Sequence, residues 1–220
     1  MNTALVTGAN RGIGLEFCTQ LKASHYDVIA VCRQTSAELD ALGVKVETGV
    51  DMSDAASIKQ LAERLGNTLI NLLINNAGIM TNESIDNLDF DNIQKQWEVN
   101  TLGPLRVVSQ LKHLMTNPAK IALITSRMGS IADNGSGGYY GYRMSKAALN
   151  MAGVSMAHEL KEQGIAVGIL HPGFVSTDLT DNNGQINPDE SVTGLLARIE
   201  NLNLENSGTF WHMNGEVLPW

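Results

Sequence analysis

Several residue types and patterns are scarce in this sequence, and each shortage excludes a class of protein. No apolar run approaches the ~20 residues that a membrane-spanning helix needs, so we expect no membrane partner. The two cysteines, Cys18 and Cys32, form neither a CxxC motif nor a metal-ligand spacing, which predicts buried thiols and no metal site. Lysine and arginine number 15 against 23 acidic residues, and the net charge of −8 argues against a nucleic-acid partner.

The residues that are present are typical of one globular domain. A chain of 220 residues that is 43% apolar and 17% charged is long enough to bury a full core. No linker, internal repeat or charge run marks a boundary, so we expect a single domain over residues 1–220. A strand-like segment follows Met1 almost directly, without a secretory leader, and we therefore expect a cytoplasmic protein.

Short β-branched or apolar runs alternate with longer segments of helical period. This βαβ alternation predicts an α/β fold, a doubly wound parallel sheet with helices on both faces. The predicted strands are 3–7, 28–32, 44–48, 69–75, 120–125 and 165–170, and the predicted helices are 12–24, 54–66, 88–116 and 140–163.

The first predicted strand ends in a glycine-rich turn, TGANRGIG, and a helical pattern begins at once. Glycines permit a tight turn and the close approach of a pyrophosphate to a helix N-terminus. The spacing differs from the usual GxGxxG fingerprint, and a plain strand-to-helix turn is the alternative. Its position at the first βα turn favours a nucleotide site, for which we predict Gly8, Asn10, Arg11, Gly12, Ile13 and Gly14.

The end of the second strand bears on the choice of cofactor. An acidic residue there suits the ribose hydroxyl of NAD, and a basic one suits the 2′-phosphate of NADP. This strand ends in Cys32-Arg33, without an acidic residue. Arg33 and Arg11 together suit a phosphate, which favours NADP over NAD, although two solvated arginines are the alternative.

Other strand ends supply further cofactor candidates. Asp51, followed by Met52, is predicted either to cap the next helix or to accept a hydrogen bond from an adenine amino group. Asn76-Ala77-Gly78 makes a small turn over which a cofactor can pass. Pro172-Gly173 forces a turn after His171, which we interpret as structural, and Thr177 is placed to touch phosphates.

A tyrosine and a lysine stand four residues apart in the predicted helix 140–163. Tyr142 and Lys146 therefore share one helix face, where the ammonium is expected to lower the phenol pKa and suit it to acid/base catalysis. A solvated helix face is the alternative.

Ser126, at the end of a strand, offers a hydroxyl to a substrate oxygen and lacks the G-x-S-x-G elbow of a hydrolase nucleophile. Asn100 is expected to bend its helix and offer a carbonyl to a water, or to be a tolerated polar residue.

The ordered set of motifs resembles the short-chain dehydrogenase/reductase family over nearly the whole chain. The motifs are TGANRGIG at 7–14, NNAG at 75–78, Asn100, Ser126, YRMSK at 142–146 and PGFVSTD at 172–178. Loop and tail sequences are most similar to its carbonyl-reductase-like branch, which includes C-factor and sniffer proteins. The resemblance implies a Rossmann-type fold of about seven parallel strands, with a nicotinamide cofactor at the strand C-termini.

The resemblance also implies the residue roles. Tyr142 would protonate the carbonyl as hydride arrives, Ser126 would orient it, Lys146 would bind the nicotinamide ribose and lower the Tyr142 pKa, and Asn100 would hold a relay water. The cofactor contacts that carry over are Gly8, Arg11, Ile13, Asp51, Asn76, Ala77, Gly78, Val175 and Thr177, with Arg33 at the basic position of NADP users.

Three functions are compatible with these motifs. We expect an NADP-dependent reductase of aldehydes or ketones with a small carbonyl or alcohol substrate. A cofactor-binding regulator of the C-factor type is the alternative, and a sugar-nucleotide epimerase is disfavoured because such relatives carry a further substrate domain. A long 126–142 interval and a short region after Asp178 predict an open pocket, walled by Met128, Tyr139 and Tyr140 or simply packed by them. A homodimer is expected through the small residues Ala147, Ala148, Ala152 and Gly153, which otherwise pack inward.

Overall fold

All six predicted strands form, and they pair in parallel with a seventh. A computed structural model describes residues 2–220 and orders the sheet β3-β2-β1-β4-β5-β6-β7. From β1 the strand order runs outward through β2 and β3 on one side and through β4 to β7 on the other. The crevice between β1 and β4 is therefore a topological switch point. The strands are β1 Thr3–Thr7, β2 Asp27–Val31, β3 Lys45–Glu47, β4 Ile70–Asn75, β5 Met115–Ile124, β6 Ile165–His171 and β7 Phe210–His212.

Residues 2–220 contain seven α-helices, and five of them cover the two faces of this sheet. Helices α1 and α7 pack on one face, and α3, α5 and α6 pack on the other. No helix within residues 2–220 combines the length and apolar character needed to cross a bilayer. The helices are α1 Gly12–Ala23, α2 Ala37–Ala41, α3 Ala55–Leu65, α4 Phe90–Trp97, α5 Gly103–Leu111, α6 Tyr140–Glu159 and α7 Pro188–Asn201.

The strands are apolar along their whole length because both faces of the sheet are buried. In β1, Leu5 packs into the cluster beneath α3, α5 and α6, whereas Ala4 and Val6 pack into the cluster beneath α1 and α7. Burial on two sides produces a continuous apolar run rather than an alternating one, as expected for a parallel sheet under helices. The predicted doubly wound α/β fold is confirmed.

The predicted helix 88–116 is wrong in two respects, and the first is that it forms two α-helices joined by a π-helical turn. The turn spans Glu98–Leu102 and includes Asn100, and the N–H of Gly103 donates to the carbonyl of Glu98, five residues back. Pro104 has no N–H, so the α-helical hydrogen bond to the carbonyl of Asn100 cannot form there. The second half also ends early, because β5 begins at Met115.

Three elements were not predicted from the sequence pattern: α2, α7 and β7. The five-residue α2 and three-residue β7 are too short to show a period. A signal for α7 was present, since Val192, Leu195 and Ile199 are spaced i, i+3 and i+7 and are all buried. Pro188 at its first turn is a further helix start signal.

Candidate active site

A long cleft of about 420 Å³ runs along the C-terminal ends of β1, β2 and β4 and reaches α6. It is lined by all the predicted cofactor residues except Gly173 and Val175, which line a pocket beside it. Their contact with a cofactor stays a prediction. The predicted residues along the long cleft are Gly8, Asn10, Arg11, Gly12, Ile13, Gly14, Arg33, Asp51, Met52, Asn76, Ala77, Gly78, Tyr142, Lys146, Pro172 and Thr177.

The turn between β1 and α1 leaves no room for side chains at two glycines. Gly8 has a φ of +67°, and a Cβ atom there would lie 2.8 Å from the Cα of Ala77. A Cβ atom on Gly14 would lie 2.1 Å from the carbonyl oxygen of Gly8. The bare backbone at the N-terminus of α1 therefore forms a cradle that fits the pyrophosphate of a dinucleotide.

The side chain of Asn76 joins this turn to the end of β4. Its Nδ2 atom donates to the carbonyl oxygens of Thr7 at 3.0 Å and Gly8 at 3.3 Å. The hydroxyl of Thr7 in return accepts from the N–H groups of Asn76 and Ala77. Asn76 therefore holds the floor of the cleft together across the topological switch point.

The structure separates the two roles that the sequence allowed for Asp51. Asp54, not Asp51, caps α3, because its Oδ1 accepts from the N–H of Ala56 at 2.8 Å. One oxygen of Asp51 accepts from the N–H and hydroxyl of Ser53, and the latter hydrogen bond lowers the pKa of Asp51. Asp51 thus lies in the cleft as a fixed carboxylate, and its predicted adenine contact stays open.

Basic side chains surround the same end of the cleft. Arg11 forms an ion pair with Asp178 at 3.0 Å, and both side chains are about two-thirds exposed. Within residues 2–220, Arg33 has no carboxylate within ion-pair distance. Lys95, which was not predicted at the site, also lines the cleft from α4.

Tyr142 and Lys146 lie one turn apart on α6, as their spacing predicts, and both are buried. The Nζ atom of Lys146 donates to the carbonyl of Ile124 at 2.9 Å and lies 5.7 Å from the centre of the Tyr142 ring. Burial lowers the pKa of Lys146 to about 8. Both side chains line the long cleft, where Lys146 can serve as a hydrogen-bond donor.

The pKa of Tyr142 moves opposite to the predicted direction. Burial raises it to about 12, and only a hydrogen bond with Ser126 acts the other way. Desolvation disfavours the charged phenolate and is the larger of the two effects. Without cofactor, the phenol is therefore a protonated group.

Asn100 is completely buried and does not line either cavity. Its Oδ1 accepts from the N–H of Ile79 at 2.8 Å, and its Nδ2 donates to the carbonyl of Ile79 and to the hydroxyl of Ser145. The side chain is thus occupied in joining the segment after β4 to α6. The predicted relay water would have to bind the main-chain carbonyl of Asn100. In an α-helix that carbonyl would accept from the N–H four residues later, but that residue is Pro104, which has no N–H.

A second cavity, the adjoining pocket, lies on the other side of Tyr142 and also measures about 420 Å³. Ser126, whose Oγ accepts from the N–H of Met128, lines it together with Tyr142. Of the three predicted pocket walls, Met128 and Tyr139 line it and Tyr140 does not. Walls that were not predicted from the sequence include Met80, Arg143, Phe174 and Leu179.

His171 was interpreted as structural, but it also lines the adjoining pocket. Burial, followed by the neighbouring His212, lowers its pKa to about 3, so the imidazole is neutral. The two rings meet edge to face with their centres 5.0 Å apart. A neutral ring packed against His212 agrees with the structural interpretation, although its buried Nδ1 has no hydrogen-bond partner within residues 2–220.

Comparisons with known proteins agree with this geometry. The family model described as short chain dehydrogenase matches residues 2–187. The 1-hydroxy-2-glutathionyl-2-methyl-3-butene dehydrogenase of Rhodococcus sp. (strain AD45) is 43% identical over 226 residues, covering 100% of both chains. C-signal of Myxococcus xanthus is 42% identical over 154 residues, which cover 69% of this chain and 93% of that protein. The structure of NADPH-bound carbonyl reductase from chicken fatty liver has a TM-score of 0.92 at 34% identity, covering 100% of this chain and 99% of that one.

Proposed function

The chain belongs to the short-chain dehydrogenase family, and we propose that it is an NADP-dependent oxidoreductase that reduces aldehyde or ketone carbonyls. One observation carries this proposal. Tyr142 lines both cavities, so a single phenol faces the long cleft, where a nicotinamide cofactor would lie, and the adjoining pocket, where a carbonyl would lie. Full-length similarity to an NADPH-bound carbonyl reductase supports the same assignment.

The side chains around Tyr142 suit a carbonyl reduction in which the bound nicotinamide supplies hydride. Tyr142 holds the proton for the carbonyl oxygen, and its raised pKa keeps that proton in place until the oxygen gains charge. Ser126 lies in the same pocket and can donate a hydrogen bond to that oxygen. Lys146 faces the long cleft, where its ammonium can bind ribose hydroxyls and stabilise the phenolate that proton transfer leaves behind.

The charges at the far end of the long cleft support NADP over NAD. β2 ends without an acidic residue, and Arg33 follows it with no carboxylate partner within residues 2–220. Arg11 is available only if a phosphate displaces Asp178 from its ion pair with Arg11. That pair is exposed and contributes little stability. Arg33 is therefore the principal candidate for contact with a 2′-phosphate.

The experiment that tests the activity is a turnover assay with the purified chain. We expect NADPH to be oxidised when aldehydes and ketones with apolar substituents are supplied, and NADP⁺ to be reduced by the matching alcohols. NADH should be a much poorer donor. Absence of turnover with every carbonyl and alcohol, at a cofactor concentration that saturates binding, would contradict the proposal.

A second candidate function is a cofactor-binding regulator in which redox chemistry is secondary. It is favoured by the 42% identity to a protein called C-signal. Complementation of a gene-deletion phenotype would separate the two functions. If the protein is a regulator, Tyr142→Phe should restore the phenotype as well as the unaltered protein does. If it is a reductase, Tyr142→Phe should not restore it.

We also propose a homodimer through α6. Of the four small residues that the sequence suggested, Gly153 packs inward, since a Cβ atom there would lie 2.7 Å from the side chain of Ile169, whereas Ala147, Ala148 and Ala152 stay partly exposed. Exposed apolar residues on α6 and on the neighbouring helix α4 include Met144 and Met151, and Phe90 and Trp97, each pair spaced i, i+7 on one helix face. Light scattering after size-exclusion chromatography should give twice the monomer mass, and Met151→Glu should reduce it to the monomer mass.

A further inference from the structure

A buried carboxylate lies at the N-terminus of α6, the helix that carries Tyr142. Glu83 is only 2% exposed, and its neighbours along the chain belong to the segment that follows β4. Its Oε2 accepts from the N–H of Gly141 at 3.2 Å, and its main-chain carbonyl accepts from the N–H of Tyr139 at 2.8 Å. These two contacts hold the residues on either side of Tyr140, directly before Tyr142.

Helix α6 needs such a partner because it has no cap of its own. Its N-cap residue, Tyr139, has a left-handed φ of +50° and makes no side-chain hydrogen bond to the first turn. The first N–H groups of a helix have no partner within it, and a capping side chain normally accepts from the second or third of them. Gly141 is the second residue of α6, so Glu83 takes the place of a cap from 58 residues away in sequence.

The carboxylate of Glu83 is itself fixed by two neutral donors. Gln96 Nε2 donates to Oε1 at 2.8 Å, and the hydroxyl of Thr81 donates to the same oxygen. Gln96 is fully buried, and its own Oε1 accepts from the N–H of Thr81 at 3.1 Å. Both oxygens of the Glu83 side chain therefore have hydrogen-bond donors, and a negative group is favoured at a helix N-terminus.

Gln96 and Asn100 stand four residues apart and bind the segment after β4 in the same way. Asn100 holds Ile79 by both its N–H and its carbonyl, and Gln96 holds Thr81 by its N–H and hydroxyl. Asn100 then reaches Ser145 in α6, while Gln96 reaches α6 through Glu83. The catalytic helix is thus attached to this segment at two points, on either side of Tyr142.

Space at the junction is also restricted. A Cβ atom on Gly141 would lie 2.3 Å from Nε2 of Gln96 and 3.0 Å from Cα of Ile93. The first turn of α6 therefore has no room to shift toward α4. We propose that Glu83 is a positioning residue, which fixes the first turn of α6 and so places the Tyr142 phenol between the two cavities. This inference rests on the proposed function of Tyr142.

The test compares three variants with the unaltered protein. Glu83→Ala removes the acceptor, Glu83→Gln supplies an amide oxygen that can accept from Gly141, and Asp54→Asn changes a carboxylate cap on α3 instead of α6. Two quantities are measured for each: kcat per NADPH-binding site, and the hydrogen-exchange rate of the amides at 139–143. Counting sites by NADPH binding removes the contribution of unfolded protein.

We expect Glu83→Ala to lower kcat by about tenfold to a hundredfold, because a misplaced reacting group costs up to about 10²-fold. The dissociation constant of NADPH should stay the same, since Glu83 does not line the long cleft. Exchange at 139–143 should accelerate. Glu83→Gln should recover most of the lost kcat, and Asp54→Asn should change neither quantity.

Different failures point to different errors. If exchange accelerates while kcat per site is unchanged, or if Glu83→Gln is as slow as Glu83→Ala, the positioning role is wrong. If Glu83→Ala does not fold, Thr81→Val, which removes one donor to Oε1, should still lower kcat per site and accelerate exchange. If the unaltered protein reduces no carbonyl, the proposed function fails instead, while exchange in Glu83→Ala still decides whether Glu83 holds the helix end.

Discussion

The two cavities that Tyr142 lines, the long cleft and the adjoining pocket, differ in the residues that form them. The long cleft is lined by four glycines at turns that follow strands, and at Gly8 and Gly14 a side chain would collide with neighbouring backbone. The adjoining pocket consists of side chains from widely separated loops, including Met80, Met128, Tyr139 and Phe174. Because backbone geometry tolerates few substitutions and loop side chains tolerate many, one side is suited to a fixed cofactor and the other to a variable substrate. The predictions below test that contrast.

The largest effect is expected from closing the glycine turn on the cofactor side. Gly14→Ala places a Cβ atom 2.1 Å from the carbonyl oxygen of Gly8, so the turn must move, and NADPH binding should be lost along with about 1–3 kcal/mol of stability. Binding is measured by NADPH fluorescence and stability by urea unfolding. Gly135→Ala is the matched control, because no atom lies within 4 Å of a Cβ at Gly135. Equal NADPH affinity in both variants would contradict the contrast.

A smaller effect is expected at the phosphate end of the cleft. Arg33→Gln should weaken NADPH by about tenfold to a hundredfold, which is the loss of one or two charge-assisted hydrogen bonds. NADH lacks the 2′-phosphate and should bind the variant as it binds the unaltered protein. Titration of both cofactors against both proteins checks this, and equal weakening of NADPH and NADH would place Arg33 elsewhere.

The pH dependence of kcat/KM tests the roles of Lys146 and Tyr142, which lie where the two cavities adjoin. Since burial lowers the pKa of Lys146 to about 8, its ammonium is lost as pH rises through that value, and kcat/KM for the carbonyl should fall there by up to about tenfold. Tyr142, with a pKa raised to about 12, stays protonated over the same range. In Lys146→Arg the side chain does not titrate, so whatever activity it retains should show no decline near pH 8.

The smallest effect is expected on the substrate side. Tyr139→Gly removes a pocket wall and replaces a residue whose φ is +50°, so KM for a bulky carbonyl should rise by a few fold. Relief of backbone strain should offset part of the packing lost, and NADPH affinity should not change. Tyr140→Ala is the control, because Tyr140 does not line the pocket. A change in NADPH affinity for Tyr139→Gly would contradict the assignment of Tyr139 to the substrate pocket alone.

The same contrast explains what could be predicted from sequence. The strand bounds, the glycine turn and the Tyr142–Lys146 pair each depend on residues close together in the chain. Met80, Phe174 and Leu179 carry no local signal, and only the folded loops bring them to one pocket. Asn100 was predicted at the site, but its hydrogen bonds to Ile79 and Ser145 join segments 21 and 45 residues away.

The direction of the Tyr142 pKa was wrong for a related reason. The i, i+4 spacing showed that an ammonium lies near the phenol, but it did not show that both groups are buried. Burial acts on both, raising the pKa of Tyr142 and lowering the pKa of Lys146. Charge spacing can be read from sequence, whereas desolvation depends on the packing of β5, α4 and α6 around the pair.

The central claim is that Tyr142 supplies the proton to a carbonyl bound where the two cavities adjoin. Tyr142→Phe removes only the hydroxyl, so the measurement is kcat for carbonyl reduction alongside the dissociation constant of NADPH. We predict a loss of about 10²–10⁴-fold in kcat, the usual contribution of a general acid, with NADPH affinity within about twofold of the unaltered protein. Full turnover in Tyr142→Phe, or loss of NADPH binding together with turnover, would contradict the account.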